Sequence, residues 1–197
     1  MSRKQKRDIE ATKEALLRVA KELMTSCGDA DEVTSRAISS RANVNVAMIN
    51  YCYGSREALL YEVFRRLLID AQRQQPELAR LLTADIPPKE RVIMLHYHMM
   101  RLMIDNFNYA RAVTRFILLN RSLDNGLEVL PCIMEHFGGR RTEDECRLIA
   151  FELTSIHELA VLKHEELKKS CGIDLSDDEV LLRFVRDSVG RFLDAEV

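Results

Sequence analysis

The sequence predicts an all-α protein with three helices in an N-terminal domain, residues 1–54, and a larger helical domain, residues 55–197. Only seven Gly and four Pro interrupt the 197 residues, which favours long helices over many short strands. Apolar residues recur at steps of three and four, the spacing of one helix face. Two very short apolar segments near residue 40 lie between much longer ones, and this order predicts a compact helical motif.

The first helix is indicated by an apolar stripe that ends at Gly28. Glycine commonly ends helices because it adopts left-handed backbone conformations without strain. An acidic turn, residues 29–32, is expected next. The inward positions of this helix are Ile9, Leu16, Val19, Ala20, Leu23, Met24 and Cys27.

Two short helices follow, and each begins at a polar residue suited to capping. Thr34 is placed to accept a hydrogen bond from an otherwise unpaired amide at the start of the first. Asn43 can take the left-handed conformation that ends it. Asn45 caps the second, which is predicted to reach about Tyr51 before Gly54 breaks it. Two short helices joined by a tight turn between longer helices form a helix-turn-helix pattern.

The remaining helices are predicted from apolar spacing and from their end signals. Ser55 caps the fourth helix, and Pro88 suits the first turn of a later one. Pro131 either starts or kinks a helix that Gly138 and Gly139 end, and the sequence leaves this alternative open. Two capping boxes open the last long helices. They are Thr142 with Glu145, for a helix reaching about Lys168, and Ser176 with Glu179.

Charge and hydropathy exclude some classes of protein. The formal net charge is −2, so bulk charge does not indicate nucleic-acid binding. Up to Leu60, ten basic residues face eight acidic ones, which gives this end +2 and leaves −4 for the rest. No apolar run approaches the roughly 20 residues of a membrane span. The basic N-terminus leads into an amphipathic segment rather than a signal peptide, so we expect a cytoplasmic protein without a membrane partner.

The cysteines and histidines predict no metal site. Five single cysteines, without CxxC spacing, fit neither a disulfide framework nor a zinc knuckle. Each is interpreted as a small buried hydrophobe, with redox sensing as the alternative. His96 and His98 are two residues apart and point to different helix sides. His157 and His164 are seven apart, whereas helical ligand pairs usually lie three or four apart.

No nucleophile–base set and no phosphate-binding loop is identifiable in the sequence. These are the arrangements by which nucleophilic catalysis and nucleotide binding are usually recognised. The sequence therefore predicts neither an enzyme nor a cofactor.

An ordered series of short motifs occupies residues 16–60. Thr34, Ala37-Ile38, Arg41-Ala42 and Val44 precede the run INYCYGSREALL, residues 49–60. This order and spacing resemble the DNA-binding domain of the TetR family of bacterial and archaeal transcription regulators, over about a quarter of the chain. Three positions depart from the family pattern. Asn43, Asn50 and Cys52 stand where glycine, an aromatic residue and histidine are usual.

The resemblance implies that the second short helix enters the major groove of double-stranded DNA. Asn45, Val46, Ala47 and Met48 would then face base edges, and the amide of Asn50 could pair with adenine. Other residues would contact phosphates and position the helix. These are Thr34, Ser35, Arg36, Tyr51, Ser55 and Arg56, with Lys4 and Lys6 of the basic arm. The alternatives are that the threonine and serine only cap, the tyrosine only packs, and the arm is solvated.

The resemblance also implies a homodimeric repressor, which a small, largely apolar effector releases from a palindromic operator. The dimer would form through helices at residues 142–168 and 177–194. The first has an apolar stripe broader than one core-facing side needs, with Leu148, Ile149, Phe151, Leu153, Ile156, Leu159, Ala160 and Leu162. Candidates for the effector pocket, all of which also fit core packing, are His98, Met99, Met103, Phe107, Phe116, Met134, Phe137 and His157.

Two other functions remain open at this stage. In the first, the DNA-binding head is controlled by a protein partner rather than by a small molecule. In the second, the chain is a helical adaptor without affinity for DNA.

Overall fold

The computed structural model describes residues 3–27, 32–74, 80–81, 85–120 and 129–194, and over these residues the regular structure is entirely helical. The all-α prediction is confirmed. No helix in these ranges is long and apolar enough to cross a membrane. The helices are α1 (Arg3–Ser26), α2 (Ser35–Arg41), α3 (Ala47–Tyr53), α4 (Arg56–Gln74), α5 (Pro88–Asp105), α6 (Phe107–Asn120), α7 (Leu130–Phe137), α8 (Glu143–Leu162), α9 (His164–Cys171) and α10 (Asp178–Leu193).

Contacts divide the chain into two compact units. Unit 1 comprises residues 1–70 and 108–121, and unit 2 comprises residues 71–107 and 122–197. Unit 1 therefore contains α1 to α3, most of α4 and nearly all of α6. The functional boundary after residue 54 stays a prediction.

The core of unit 1 forms where α1 packs against α2 and α3. Leu16, Val19 and Ala20 are buried on α1, and Ile38 and Ile49 are buried on the two short helices. Each such side chain stabilises the fold by about 1.5–3 kcal/mol through loss of apolar surface to water. The predicted α1 stripe is thus confirmed at its centre, whereas its two ends, Ile9 and Cys27, are only half-buried.

Helix α6 contributes to unit 1 from its first turn onward. The Tyr109 hydroxyl lies 3.0 Å from Thr25 Oγ1 and donates to the Lys21 carbonyl oxygen at 3.1 Å, both on α1. The Phe116 ring packs against Tyr61 of α4 with centroids 5.4 Å apart. These side chains join residues more than fifty positions apart, so local sequence patterns did not predict this packing.

Unit 2 is centred on α5, which packs against α7, α8 and α10. Helices α7 and α10 also contact α8, and α9 packs on α8. The largest fully buried side chains of this unit are Ile93, Met100, Ile133, Phe137, Leu153, Leu175 and Leu181. Contacts between neighbouring helices and their shared apolar core thus hold α5, α7, α8 and α10 together.

Several predicted helix ends are confirmed. Pro88 is the first residue of α5, and Pro131 lies in the first turn of α7, so it starts this helix rather than kinking it. Gly138 ends α7 with a left-handed φ of 54°. The capping box at the start of α8 is complete, with the Thr142 side chain and the Glu145 side chain each bonded to the other's backbone amide. Gly28 and most of the predicted acidic turn lie outside the described residues.

The prediction of one long helix reaching about Lys168 is wrong, because α8 ends at Leu162. Lys163 leaves helical geometry with φ −105° and ψ 17°. His164 then buries its ring against Phe107, with centroids 4.4 Å apart, and its Nδ1 lies 2.9 Å from the Val161 carbonyl oxygen. Burial of this histidine accompanies the break.

The sequence predicted Ser176 as the cap of the last helix, but this residue does not cap it. Asp177 does, because its Oδ1 accepts hydrogen bonds from the amides of Glu179 and Val180 at 2.9 and 3.0 Å. The Ser176 amide instead donates to Asp174 Oδ1 at 3.0 Å. The positive end of the helix dipole also stabilises a carboxylate at this position.

The burial predicted for every cysteine holds only in part. Cys132 and Cys146 are buried, and Cys27 and Cys52 are partly exposed. Cys171, the last residue of α9, is exposed, so the prediction is wrong there.

Candidate functional site

Helix α2 begins at a side-chain cap, as predicted. Thr34 has extended backbone, and its Oγ1 accepts a hydrogen bond from the Ala37 amide at 3.1 Å. Ser35 is half-buried, and Arg36 is exposed on the first turn. No acidic residue occurs in this turn, which carries the positive charge of Arg36. The start of α2 is therefore both capped and cationic.

The turn after α2 depends on a left-handed asparagine. Asn43 has φ 54°, the left-handed conformation that the sequence predicted. In the described part of the chain no other non-glycine residue has positive φ. Its amide donates to the Ser40 carbonyl oxygen at 3.2 Å, and the Val44 amide donates to that of Ser39 at 3.0 Å. Ser39 is itself buried. The turn thus fixes how the chain leaves α2 and enters α3.

Replacing Asn43 by alanine is expected to destabilise the protein by about 1 kcal/mol, because alanine is strained at positive φ. Replacement by glycine relieves that strain and is expected to change stability by less than about 0.5 kcal/mol. Urea unfolding of both variants measures the difference. Equal stability of the alanine and glycine variants would contradict the assigned backbone conformation.

Helix α3 presents two different faces. Val46 is in the N-cap position and makes no side-chain cap bond, whereas the predicted cap, Asn45, lies one residue earlier and its Oδ1 accepts a hydrogen bond from the Ala47 amide at 2.8 Å. The helix continues past the predicted end at Tyr51 to Tyr53, and Gly54 then breaks it with φ 82°. Ile49 is only 1% exposed and faces the core.

The opposite side of α3 is turned to solvent. Val46 is 47% exposed and Tyr51 is 64% exposed. Asn45, Ala47 and Asn50 are exposed as well, whereas Met48 is half-buried. We call the five exposed residues, Asn45, Val46, Ala47, Asn50 and Tyr51, the α3 face. It mixes apolar contacts with amide hydrogen-bonding groups and carries no charge.

Two side chains next to the α3 face tie this region to the rest of unit 1. The Tyr53 hydroxyl donates to the Lys13 carbonyl oxygen at 2.9 Å, and burial raises the pKa of Tyr53 to about 12. This phenol is therefore a neutral donor over the physiological pH range. The sequence analysis did not single out Tyr53, although an aromatic residue just before a helix-ending glycine was visible.

Arg56 has internal partners, although it was a candidate for phosphate contact. Its Nε donates to the Val33 carbonyl oxygen at 2.5 Å, and one terminal nitrogen lies 3.3 Å from Glu57. The side chain is only 20% exposed. Arg56 thus helps to hold the segment before α2. The preceding residue, Ser55, caps α4 by accepting a hydrogen bond from the Ala58 amide at 3.0 Å, as predicted.

The basic arm belongs to the first helix. The backbone of Lys4 and Lys6 lies within α1. The side chains of both residues are outside the described part of the structure. Their contact with DNA stays a prediction.

The effector candidates occupy several different environments. Phe116 belongs to unit 1, whereas the other seven belong to unit 2. Met99 and Met134 are exposed, and Met103 is buried. Phe137 is also buried, and the guanidinium groups of Arg140 and Arg141 lie 5.6 and 4.9 Å from its ring centroid.

The other three effector candidates contact aromatic rings of unit 2. The His98 ring lies against Tyr97, with centroids 5.1 Å apart. Phe107 packs on His164 as described above, and His157 is buried beside His96, with ring centroids 4.5 Å apart. Core packing, the alternative role left open for these residues, accounts for the positions of Met103, Phe137 and His157.

A buried hydrogen-bond relay joins three helices of unit 2. His157 Nδ1 on α8 lies 2.8 Å from His96 Nδ1 on α5, and His157 Nε2 lies 2.6 Å from Ser188 Oγ on α10. Ser188 Oγ donates to the Val185 carbonyl oxygen at 2.9 Å. We call His96, His157 and Ser188 the histidine relay. The relay was not predicted from the sequence, because 61 and 31 residues separate its members.

Ser188 is an acceptor in the histidine relay. The hydroxyl proton of Ser188 is directed to Val185, so Ser188 accepts a hydrogen bond from His157 instead of giving up its proton. Burial lowers the pKa of His96 to about 4, and burial together with the neighbouring His96 lowers that of His157 to about 2. Both imidazoles are therefore neutral near pH 7. Nowhere in the described ranges do three or more metal-binding side chains cluster.

Helix α8 carries an exposed apolar stripe on the side away from the core. Leu148 is 55% exposed and Leu159 is 58% exposed, with Phe151 and Ile156 near 40%. We call these four residues the α8 stripe. The structure separates the broad stripe predicted from the sequence into this exposed set and an inward set of Ile149, Leu153 and Ala160. Apolar side chains grouped on an exposed helix face mark a surface that another chain can cover.

Comparison with known proteins found no family model and no curated protein that matches this chain.

Proposed function

We propose that the chain is a homodimeric DNA-binding transcription regulator with the architecture of the TetR family, in which α2 and α3 form a helix-turn-helix. The observation that carries this proposal is the α3 face. A short helix offers apolar and amide side chains to solvent while Ile49 holds it on the core. The major groove, about 12 Å wide, admits one such helix. Val46 and Ala47 suit contact with thymine methyl groups, and Asn50 suits adenine.

The α8 stripe supports the homodimer. In a two-fold dimer each chain offers the same patch, so an apolar stripe on one chain is covered by its copy on the other. All four residues of the α8 stripe would take part in such a contact. A dimer would place two α3 helices on the half-sites of a palindromic operator.

We also propose that a small, largely apolar effector releases the dimer from DNA. For release, the effector must bind the arrangement that is incompetent for DNA better than the competent one. Methionines such as Met103 adapt their shape to different ligands, which suits such a pocket. The competing control by a protein partner is distinguished by thermal shifts with compound libraries and with candidate proteins. A shift with compounds alone supports the small effector.

The experiment that tests DNA binding is selection of preferred sites from random duplex DNA, followed by binding at several salt concentrations. Enrichment of a symmetric motif, with affinity that falls as salt rises, supports a dimeric DNA reader. Failure to enrich any motif, together with weak binding that does not depend on salt, contradicts the proposal and favours an adaptor.

Arg36→Ala and Asn50→Ala are expected to have different effects, because one residue would contact phosphate and the other a base. The Arg36 variant is expected to bind all sequences more weakly and to reduce the slope of log K against log salt by about 1. The Asn50 variant is expected to lose about 1–3 kcal/mol on the operator and little on random DNA. Titrations of both variants on both DNAs measure this. Equal losses for the Asn50 variant on the two DNAs would refute its base-reading role.

A further inference from the structure

The histidine relay has a defined direction of hydrogen bonding. Ser188 gives its only hydroxyl proton to Val185, so His157 must donate from Nε2 to Ser188. A neutral His157 then has a bare Nδ1, which accepts the Nδ1 proton of His96. The proton of neutral His96 is therefore on Nδ1, and its Nε2 carries a free lone pair.

The opposite direction is less favourable. If Ser188 donated to His157, then His157 would donate to His96, and His96 would carry its proton on Nε2. That atom is fully buried and has no hydrogen-bond partner. A buried N–H group without an acceptor is rarer and more costly than an acceptor without a donor.

Among the described residues, no carboxylate shifts the pKa of either relay histidine. Burial alone lowers the pKa of His96, and the pKa of His157 is lowered first by burial and then by the neighbouring His96. The charged and titratable side chains on the packed helices include Arg91, Tyr97 and His98 on α5, Glu135 and His136 on α7, Glu152 and Glu158 on α8, and Arg186 and Asp187 on α10. Of these, Glu135 pairs with Arg91, and Arg186 pairs with Glu90.

The effect of protonation depends on which of the two histidines takes up the proton. A proton on His96 Nε2 leaves the hydrogen bonds of the relay in place but puts a charge into the apolar core between α5, α8 and α10. A proton on His157 can only enter at Nδ1, where it would face the Nδ1 proton of His96 across 2.8 Å and break that contact. Either event opposes the packing of the three helices.

We propose that the histidine relay is an acid-sensitive latch, which holds α5, α8 and α10 together while both imidazoles are neutral and opens when a proton enters it. The latch uses unit 2 alone and is independent of DNA binding. Both native pKa values lie below the unfolded value of about 6.5, so the unfolded chain binds more protons at acid pH. Stability is therefore full above pH 7 and falls as the pH drops below about 6.5.

The test is urea unfolding of the full chain at pH 7, 6 and 5. When the pH falls from 7 to 5, the unfolding equilibrium constant is expected to rise about 500-fold if both histidines stay neutral in the folded chain. It is expected to rise about 20-fold if only one of them does. The pKa values of Glu14, Glu62 and Glu145 are held below their usual range by hydrogen bonds, so these carboxyls titrate below this window.

His96→Asn is the diagnostic variant, because an asparagine amide can still donate to His157 but cannot titrate. Its unfolding constant is expected to rise only about 20-fold over the same range. His136→Asn makes the same substitution at a histidine outside the relay and is the matched control. An unchanged pH dependence in the His96 variant overturns the latch.

Two further measurements on the wild-type chain keep the test decisive if the variant does not fold. Hydrogen exchange, corrected for its intrinsic pH dependence, is expected to show that α5, α8 and α10 lose protection at pH 5 before α1 to α3 do. Nitrogen chemical shifts of the imidazoles at pH 7 are expected to place the proton of His96 on Nδ1 and that of His157 on Nε2. Uniform loss of protection, or the opposite tautomers, overturns the proposal.

Discussion

Replacing Leu159 by glutamate is expected to convert the proposed dimer into folded monomers and to weaken operator binding at least about 100-fold. Leu159 is 58% exposed in the single chain, so a charge there does not disturb the core of unit 2. In a two-fold contact the substitution acts twice. Each copy loses about 1 kcal/mol or more of apolar burial and adds the cost of taking a carboxylate out of water. A combined loss near 3 kcal/mol corresponds to about 100-fold in the dimer dissociation constant.

Sedimentation equilibrium of the variant measures its oligomeric state, and titration with operator DNA measures its affinity. The matched control is Leu119→Glu, which makes the same change at a leucine that is 74% exposed on α6 and does not belong to the α8 stripe. The control is expected to remain dimeric. A dimeric Leu159 variant would show that the α8 stripe is covered by something other than a second copy of this chain.

Ala47→Glu is expected to abolish specific DNA binding, with a loss of about 100-fold or more, while the protein remains folded. Ala47 is exposed in the first turn of α3, where a carboxylate favours the helix dipole by about 0.3–1 kcal/mol. Folding therefore does not oppose the change. On DNA, the same carboxylate would lie beside base edges and between two rows of phosphates, without a cation to neutralise it.

Ala11→Glu is the matched control for this variant, because it adds the same charge at an exposed alanine on α1. It is expected to weaken DNA binding only a few-fold through the change in net charge. Fluorescence anisotropy with labelled operator measures both affinities, and thermal unfolding verifies that both proteins are folded. Equal effects of the two substitutions would remove α3 from the proposed interface.

Local signals in the sequence predicted the ends of the short helices well. Thr34 and Ser55 cap through side-chain oxygens that accept from amides three residues ahead, and Asn45 Oδ1 accepts from the first amide of α3, so the information lies within one helical turn. The left-handed Asn43 belongs to the same class, because a short polar side chain tolerates this conformation. These features position the α3 face, and they were available without any tertiary information.

Features that depend on distant residues were not predicted. The end of α8 at Leu162 has no glycine or proline to signal it and coincides with burial of His164 against Phe107. His96 occupies a helix position one turn from Val92 and Met100, so its burial was foreseeable, but its pairing with His157 was not. Arg56 was assigned to DNA because its carbonyl partner, Val33, is 23 residues away.

The two ties beside α3 end on main-chain atoms. Tyr53 and Arg56 donate to the carbonyl oxygens of Lys13 and Val33, and every amino acid supplies such an oxygen. The side chains at positions 13 and 33 can therefore change during evolution without loss of either tie. The residues of the α3 face take no part in them, so each can be substituted while the scaffold that holds this surface stays constant.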